Sequence, residues 1–221
     1  MYSSRLDKRI LSKVKKLYQK ECYADMTGKI FNYSHKMMEK HLNKSHYENI
    51  LEVGAGISPH IDFISHRFKN YYCLENSKMA IKYLNKKFKN IKTIYSNNSK
   101  IPNKKFDRII LSHSLEHIYK PEKILNDLFK RLKKKGVLSI AIPIDPGFFY
   151  SFARYIKRSN NKLGLTTVEY DYLNAIEHIN SYQNNTAFIK YLFKNYKKYY
   201  FPFNLLPSDL NLFCFFQIYK K

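Results

Sequence analysis

Ile50-Leu51-Glu52-Val53-Gly54-Ala55-Gly56-Ile57-Ser58-Pro59 is the stretch that decides the fold. Its opening residues form a strand-like apolar run, and two of only six glycines in the chain stand one residue apart directly after it. Glycine at such a strand end permits a tight turn and lets the backbone come close to a nucleotide, an approach that side chains would block. Ser58 and Pro59 read as an N-cap serine and a first-turn proline. The sequence therefore predicts a helix over about 59–68 whose unpaired N–H groups point into the same crevice. The turn reads as a nucleotide-cofactor loop.

Outward from this turn, strand-like runs alternate with helical ones: strands at 49–53, 71–74, 91–95, 108–111 and 137–142, and helices near 78–88 and 121–134. In the last helix Ile124, Leu125, Leu128 and Leu132 make one apolar side, Pro121 starts it, three lysines face its negative pole and Gly136 closes it. Such alternation specifies an α/β protein with a mostly parallel sheet covered on both faces. Residues 147–180 show no clean period and read as an insertion, or lid, over the carboxyl edge of the sheet. A helix near 184–194 follows, then two aromatic runs at 198–203 and 212–219 whose short link makes them an antiparallel pair. Upstream, residues 4–20 are a basic amphipathic helix with Leu6, Ile10, Val14 and Leu17 on one face, and 29–43 a second helix. The chain divides into an N-terminal helical segment, 1–45, and a larger domain, 46–221.

The formal charge is +23, from 40 basic and 17 acidic residues, which draws anionic partners: nucleic acid, an acidic membrane face or phosphate-bearing substrates. Lys, Asn, Ile, Tyr and Phe are abundant together, as an A/T-rich coding sequence would produce, and no nucleic-acid-binding module accompanies the charge. Cys22, Cys73 and Cys214 are scattered without a Cys-x-x-Cys pair, which suits a reduced, cytoplasmic protein. The charged start of the chain lacks the apolar core of a signal peptide, and apolar runs such as 212–216 are too short to span a bilayer.

Taken together, Glu52-Val53-Gly54-Ala55-Gly56, Glu75, Phe106-Asp107 and Leu132-Lys133-Lys134-Lys135-Gly136-Val137-Leu138 resemble the class I S-adenosylmethionine-dependent methyltransferases, over roughly residues 45–145. The likeness is to the broad group that includes ubiquinone-biosynthesis-type enzymes. It implies a Rossmann-like, seven-stranded sheet closed by an antiparallel hairpin, and S-adenosylmethionine as cofactor. Glu52 would face the methionine amino end, with the backbone of Gly54, Ala55 and Gly56 packed on the cofactor and Ser58 where many relatives have a third glycine. Glu75, with Asn76 beside it, would accept the ribose hydroxyls. Asn97 and Asn98 take the place of the adenine-binding Asp, and Ser112 at the fourth strand end joins the cofactor set.

The fourth strand runs into Ser112-His113-Ser114-Leu115-Glu116-His117. In a helical turn His113, Glu116 and His117 share one face, and His178, beyond the fifth strand, completes the set. Three readings stand side by side: a divalent metal on His113, Glu116, His117 and His178, general base catalysis by His113 or His117, and a structural turn. Similar Glu-x-x-Glu-His motifs bind metal in some class I methyltransferases, and a histidine-rich set suits Zn, Mn, Fe or Ni better than Mg. The other histidines, at 35, 41, 46, 60 and 66, have no ligand spacing and read as surface or helix residues.

Leu111-Ser112-His113 stands where amino-methylating nucleic-acid enzymes carry Asn/Asp-Pro-Pro-Tyr, which argues against DNA. Residues 165–180 and 201–207 resemble bacterial methyltransferases of surface-polysaccharide clusters. The implied reaction is O-methylation of a glycan precursor or other small hydroxylated acceptor, phosphate-bearing in keeping with the charge. The alternatives are an RNA 2′-O-methyltransferase and a non-catalytic module docking on acidic membrane or RNA through the helix at 4–20.

Overall fold

The structure, a computed structural model, describes residues 26–40, 42–43, 45–57, 59–95, 101, 103–159 and 164–221. The expected helix at 4–20, Cys22, His41, Ser58, Asn97 and Asn98 lie outside these residues.

Seven strands form one sheet in the order β3-β2-β1-β4-β5-β7-β6. They are β1 (His46–Val53), β2 (Arg67–Glu75), β3 (Ile91–Tyr95), β4 (Phe106–Ser112), β5 (Leu132–Pro143), β6 (Tyr196–Phe201) and β7 (Phe213–Tyr219). The first five are parallel, while β7 runs antiparallel to both β5 and β6, as the aromatic pair predicts. Both faces are apolar because alternate residues serve opposite cores. Leu51 and Val53 join Leu111, Leu125 of α3 (Pro121–Lys130) and Ile189 of α6 (Tyr182–Leu192). Ile50 and Ile110 join Met38 of α1 (Met26–Glu39) and Leu84 of α2 (Lys78–Lys87) on the other face.

Chain order reverses at β1: β2 and β3 extend to one side, and β4 returns to the other. Helices depart to opposite faces there, and the carboxyl ends of β1 and β4 border the crevice in which such sheets bind ligands. The insertion is helical: α4 (Phe148–Ser159) and α5 (Thr167–Glu177), the latter opened by a capping box between Thr166 and Glu169. Among the described residues no helix is long and apolar enough to cross a membrane.

Two expectations fail locally. The helix after the glycine turn is a single 3-10 turn, His60–Phe63, and β2 begins at Arg67 rather than Tyr71. The His60 N–H that would open a helix donates instead to Glu52 Oε1 at 2.8 Å. Gly136 does not close α3; it lies inside β5, which already pairs with β4 at Leu132. Lys133 turns away to Asp107 and Glu48 (3.0 and 3.1 Å), and Lys135 takes φ 59°, so Arg131 is the last residue compatible with the helix.

Candidate active site

Gly54 and Gly56 sit at φ 75° and 56°, where a side chain is strained. A Cβ on Gly54 would also lie 2.8 Å from Ser114 Cβ, whereas one on Gly56 would meet only open space. Gly54 therefore answers to the turn and to the β4 segment, and Gly56 to the crevice. Ala55, between them, is buried in the α1-side core. Glu75 ties the turn to the end of β2. Its Oε2 accepts from the Gly56 N–H at 2.9 Å, and its Oε1 from the N–H groups of Asn76 and Ser77 at 2.7 and 2.8 Å. A ribose diol reaching Glu75 competes with these three donors.

Glu52 does not line the crevice as its place in the motif suggests. Its position alternates into the α1-side core, where it is 1% exposed. Oε1 takes the His60 N–H, and Oε2 the hydroxyl of Tyr71 at 2.8 Å. It anchors the segment after the glycine turn from below. Burial raises its pKa to about 7, against the two hydrogen bonds that lower it. A carboxyl raised from 4.5 contributes stability in full below 4.5, and loses it as pH rises through 7. Glu52→Gln keeps the shape and removes the charge. Its stability relative to wild type is expected to climb by about 1–3 kcal/mol between pH 5 and 8. A flat difference in chemical denaturation across that range contradicts the assignment.

Beneath the crevice lies a polar network that sequence reading missed. His35 Nδ1 is 2.9 Å from His60 Nδ1 and 3.3 Å from Ser112 Oγ. His60 Nε2 donates to Glu39 Oε1 at 2.7 Å, and Arg108 Nη1 reaches the same oxygen at 2.6 Å. Burial opposes ionisation of Glu39, but the His60 hydrogen bond and the Arg108 charge hold its carboxyl well below the usual range. Burial, aided by neighbouring positive charge, lowers both His35 and His60, so neutral rings carry the chain of hydrogen bonds from the β4 end to the ion pair.

His113 follows β4 with φ 49° and parts company with Glu116 and His117. It turns toward α1, where Nε2 lies 2.7 Å from Ser34 Oγ and the ring meets Phe31 and Phe213 edge-on. Ser34 donates its own hydrogen to Phe31 O at 2.7 Å, so it accepts from His113 Nε2–H. The ring is thereby fixed in one tautomer, with Nδ1 a shielded acceptor lacking a partner among the described residues. Burial, and then His117 and His178, push its pKa down to about 3.

Glu116, His117 and His178 do converge, with one ligand atom of each within 4.8 Å of the others. His117 Nδ1 donates to Glu177 O at 2.7 Å and His178 Nδ1 to Asp145 Oδ2 at 2.8 Å, which frees both Nε2 atoms. Glu116 is 2% exposed, and its Oε2 has no partner among the described residues. Burial opposes protonation of His178, but the Asp145 bond and the Glu116 carboxylate raise its pKa. Of the sequence set, Glu116, His117 and His178 thus lie together, with Asp145 behind His178, while His113, whose left-handed backbone breaks the expected helical face, does not join them.

The methyltransferase domain family matches residues 5–196. No curated protein matches the chain. Among solved structures, the N-methyltransferase NodS from Bradyrhizobium japonicum WM9, in complex with S-adenosyl-L-homocysteine, is 11% identical at a TM-score of 0.63, covering 97% of this chain and 99% of its own. An S-adenosylmethionine-dependent methyltransferase from Clostridium acetobutylicum ATCC 824 is 14% identical at 0.62, covering 95% and 98%. The plantazolicin methyltransferase BpumL with bound S-adenosylhomocysteine is 15% identical at 0.57, covering 96% and 99%.

Proposed function

The chain belongs to the methyltransferase domain family, with the class I S-adenosylmethionine-dependent fold, and from that premise we propose that it O-methylates a small hydroxylated acceptor, a glycan precursor in the first instance. The observation that carries this reading is the unpartnered His113 Nδ1 at the carboxyl end of β4, one residue before Ser114, against which a Cβ on Gly54 would lie. The backbone of Gly54, Ala55 and Gly56 would hold S-adenosylmethionine, with Glu75 on its ribose and Asn76 and Ser112 beside it; Ser58, Asn97 and Asn98 are the further residues that the resemblance assigns to it. Glu52 supports it by fixing the turn.

When bound, S-adenosylmethionine would supply a sulfonium methyl for in-line attack by the acceptor oxygen, the O–CH3 bond forming as the S–CH3 bond breaks and the sulfur keeping the electron pair. The acceptor proton grows strongly acidic as its oxygen gains the methyl group, so even an imidazole lowered by burial can accept it at Nδ1. Alignment of oxygen, methyl and sulfur supplies the larger part of the acceleration. Titration of S-adenosylhomocysteine into the protein by calorimetry is expected to give one site per chain. No heat and no competition with S-adenosylmethionine would remove the reading.

Glu116, His117 and His178, each offering one ligand atom, fit a divalent cation, with Asp145 and the Glu177 carbonyl orienting the rings. Two histidines and one carboxylate suit Zn, Mn, Fe or Ni over Mg. When bound, the ion would orient acceptor oxygens and make a hydroxyl more acidic. Zinc calorimetry on chelator-treated protein is expected to show one site that weakens about 10-fold or more in His178→Ala, since loss of an orienting partner alone costs that much. Equal affinity in wild type and variant would leave the three residues as a structural turn.

A further inference from the structure

Helix α4 has two unlike sides. Its inner side is tied to the proposed site: Arg154 pairs with Asp145 at 3.2 Å, and Asp145 holds His178. Its outer side carries Phe148, Phe152 and Ile156, spaced four apart and exposed, with Phe148 at 65%. The connection between β6 and β7 adds Phe203, Leu205 and Leu206, and Leu205 is 96% exposed. The two parts are continuous. Helix α4 packs on the 3-10 turn Ser208–Leu210 of that connection, and the rings of Phe149 and Phe203 are 6.2 Å apart. Contiguous exposed apolar surface on this scale marks a binding face.

We propose that this face docks on an anionic lipid bilayer and thereby seats the site over a lipid-linked acceptor. Aromatic and aliphatic side chains along one side of a helix are the apolar face of a helix lying in a membrane interface, while Arg154 and Arg158 are paired with Asp145 and Asp171. Charge selects the occupant. A chain of net charge +23 repels a second copy of itself, while an anionic leaflet attracts basic protein surface within a Debye length. Locally, Lys197 and Lys198 share a groove with Asn204 at the base of the connection, and Asp209 is the single acid between β6 and β7. The inference rests on the methyl-transfer reading only for the identity of the acceptor; the docking stands on the surface itself.

The test is co-sedimentation with vesicles of phosphatidylcholine alone and with about a third phosphatidylglycerol, at low and high salt. Wild type is expected to partition onto the anionic vesicles, and less so at high salt. The double variant Phe152→Asp, Leu205→Asp is expected to partition at least ~10-fold less, because two exposed apolar side chains that would enter the bilayer become charged. Both positions are exposed, so S-adenosylhomocysteine affinity serves as the folding control and is expected to stay unchanged. The proposal is overturned if wild type does not prefer anionic vesicles, or if the variant partitions as wild type does. A dimer in light scattering that the variant dissolves would assign the face to a second copy and also overturn it. Cofactor binding, measured separately, shows whether the methyltransferase reading survives such a result.

Discussion

Replacing Arg108 by alanine is expected to destabilise the protein by about 3–5 kcal/mol, the cost of stranding a buried charge. For a chain of this size that lowers the melting temperature by roughly 10 °C. Arg108 sits in the middle of β4, fully buried. Its Nη1 meets Glu39 Oε1 at 2.6 Å and His66 Nε2 at 2.8 Å, and its Nε donates to Ser139 Oγ at 3.0 Å. Ser139 passes the contact to Gln217, which holds Met38 O at the end of α1. Without the guanidinium, Glu39 either keeps an uncompensated charge under the sheet or takes up a proton. The second outcome is why Arg108→Met combined with Glu39→Gln is expected to be less damaging than Arg108→Met alone. Urea denaturation of the four proteins closes the cycle. A loss under about 1 kcal/mol for Arg108→Ala would mean that water, not Glu39, balances the arginine.

His113→Asn is expected to lower kcat by about 10²–10⁴-fold, the range for a lost general base, with S-adenosylhomocysteine affinity nearly unchanged. Asparagine is chosen because position 113 has φ 49°, a conformation it tolerates better than most residues. The pH profile separates this role from a structural one. With a pKa pushed down to about 3, His113 stays neutral at neutral pH, with Nδ1 unprotonated. The rate of the wild type is therefore expected to show no His113 inflection near 6.5, the ordinary imidazole value. Activity governed by a group titrating there would take the base role away from His113. Ser34→Ala frees Nε2 and with it the tautomer, so a smaller loss in kcat at constant cofactor affinity is expected.

The parallel core was legible because its signals are local. Ile50–Val53 and 91–95 are short apolar runs between turn residues, and Gly54 and Gly56 punctuate the one place where the chain must turn tightly. The aromatic runs at the end were legible as a hairpin for the same reason. What escaped was set by partners distant in sequence. Nothing near Arg108 announces Glu39, and His35, His60 and His66 have no common spacing, yet the fold gathers them under one helix. The turn after Gly56 stayed short because Glu52 captured a backbone N–H, a contact that no propensity scale contains. Glu116, His117 and His178 were legible as a set; His113 was misplaced because its left-handed backbone could not be read from its neighbours.

The clasp between Gln217 Nε2 and Met38 O, 2.8 Å long, joins residues 179 positions apart. During synthesis the helix carrying Met38 leaves the ribosome early, while its clasp arrives only with the last strand. Until then Arg108 and Glu39 have no roof, and the nascent chain exposes an ion pair and an open sheet edge together. Truncations ahead of residue 213 are therefore expected to yield insoluble chains rather than smaller folded ones.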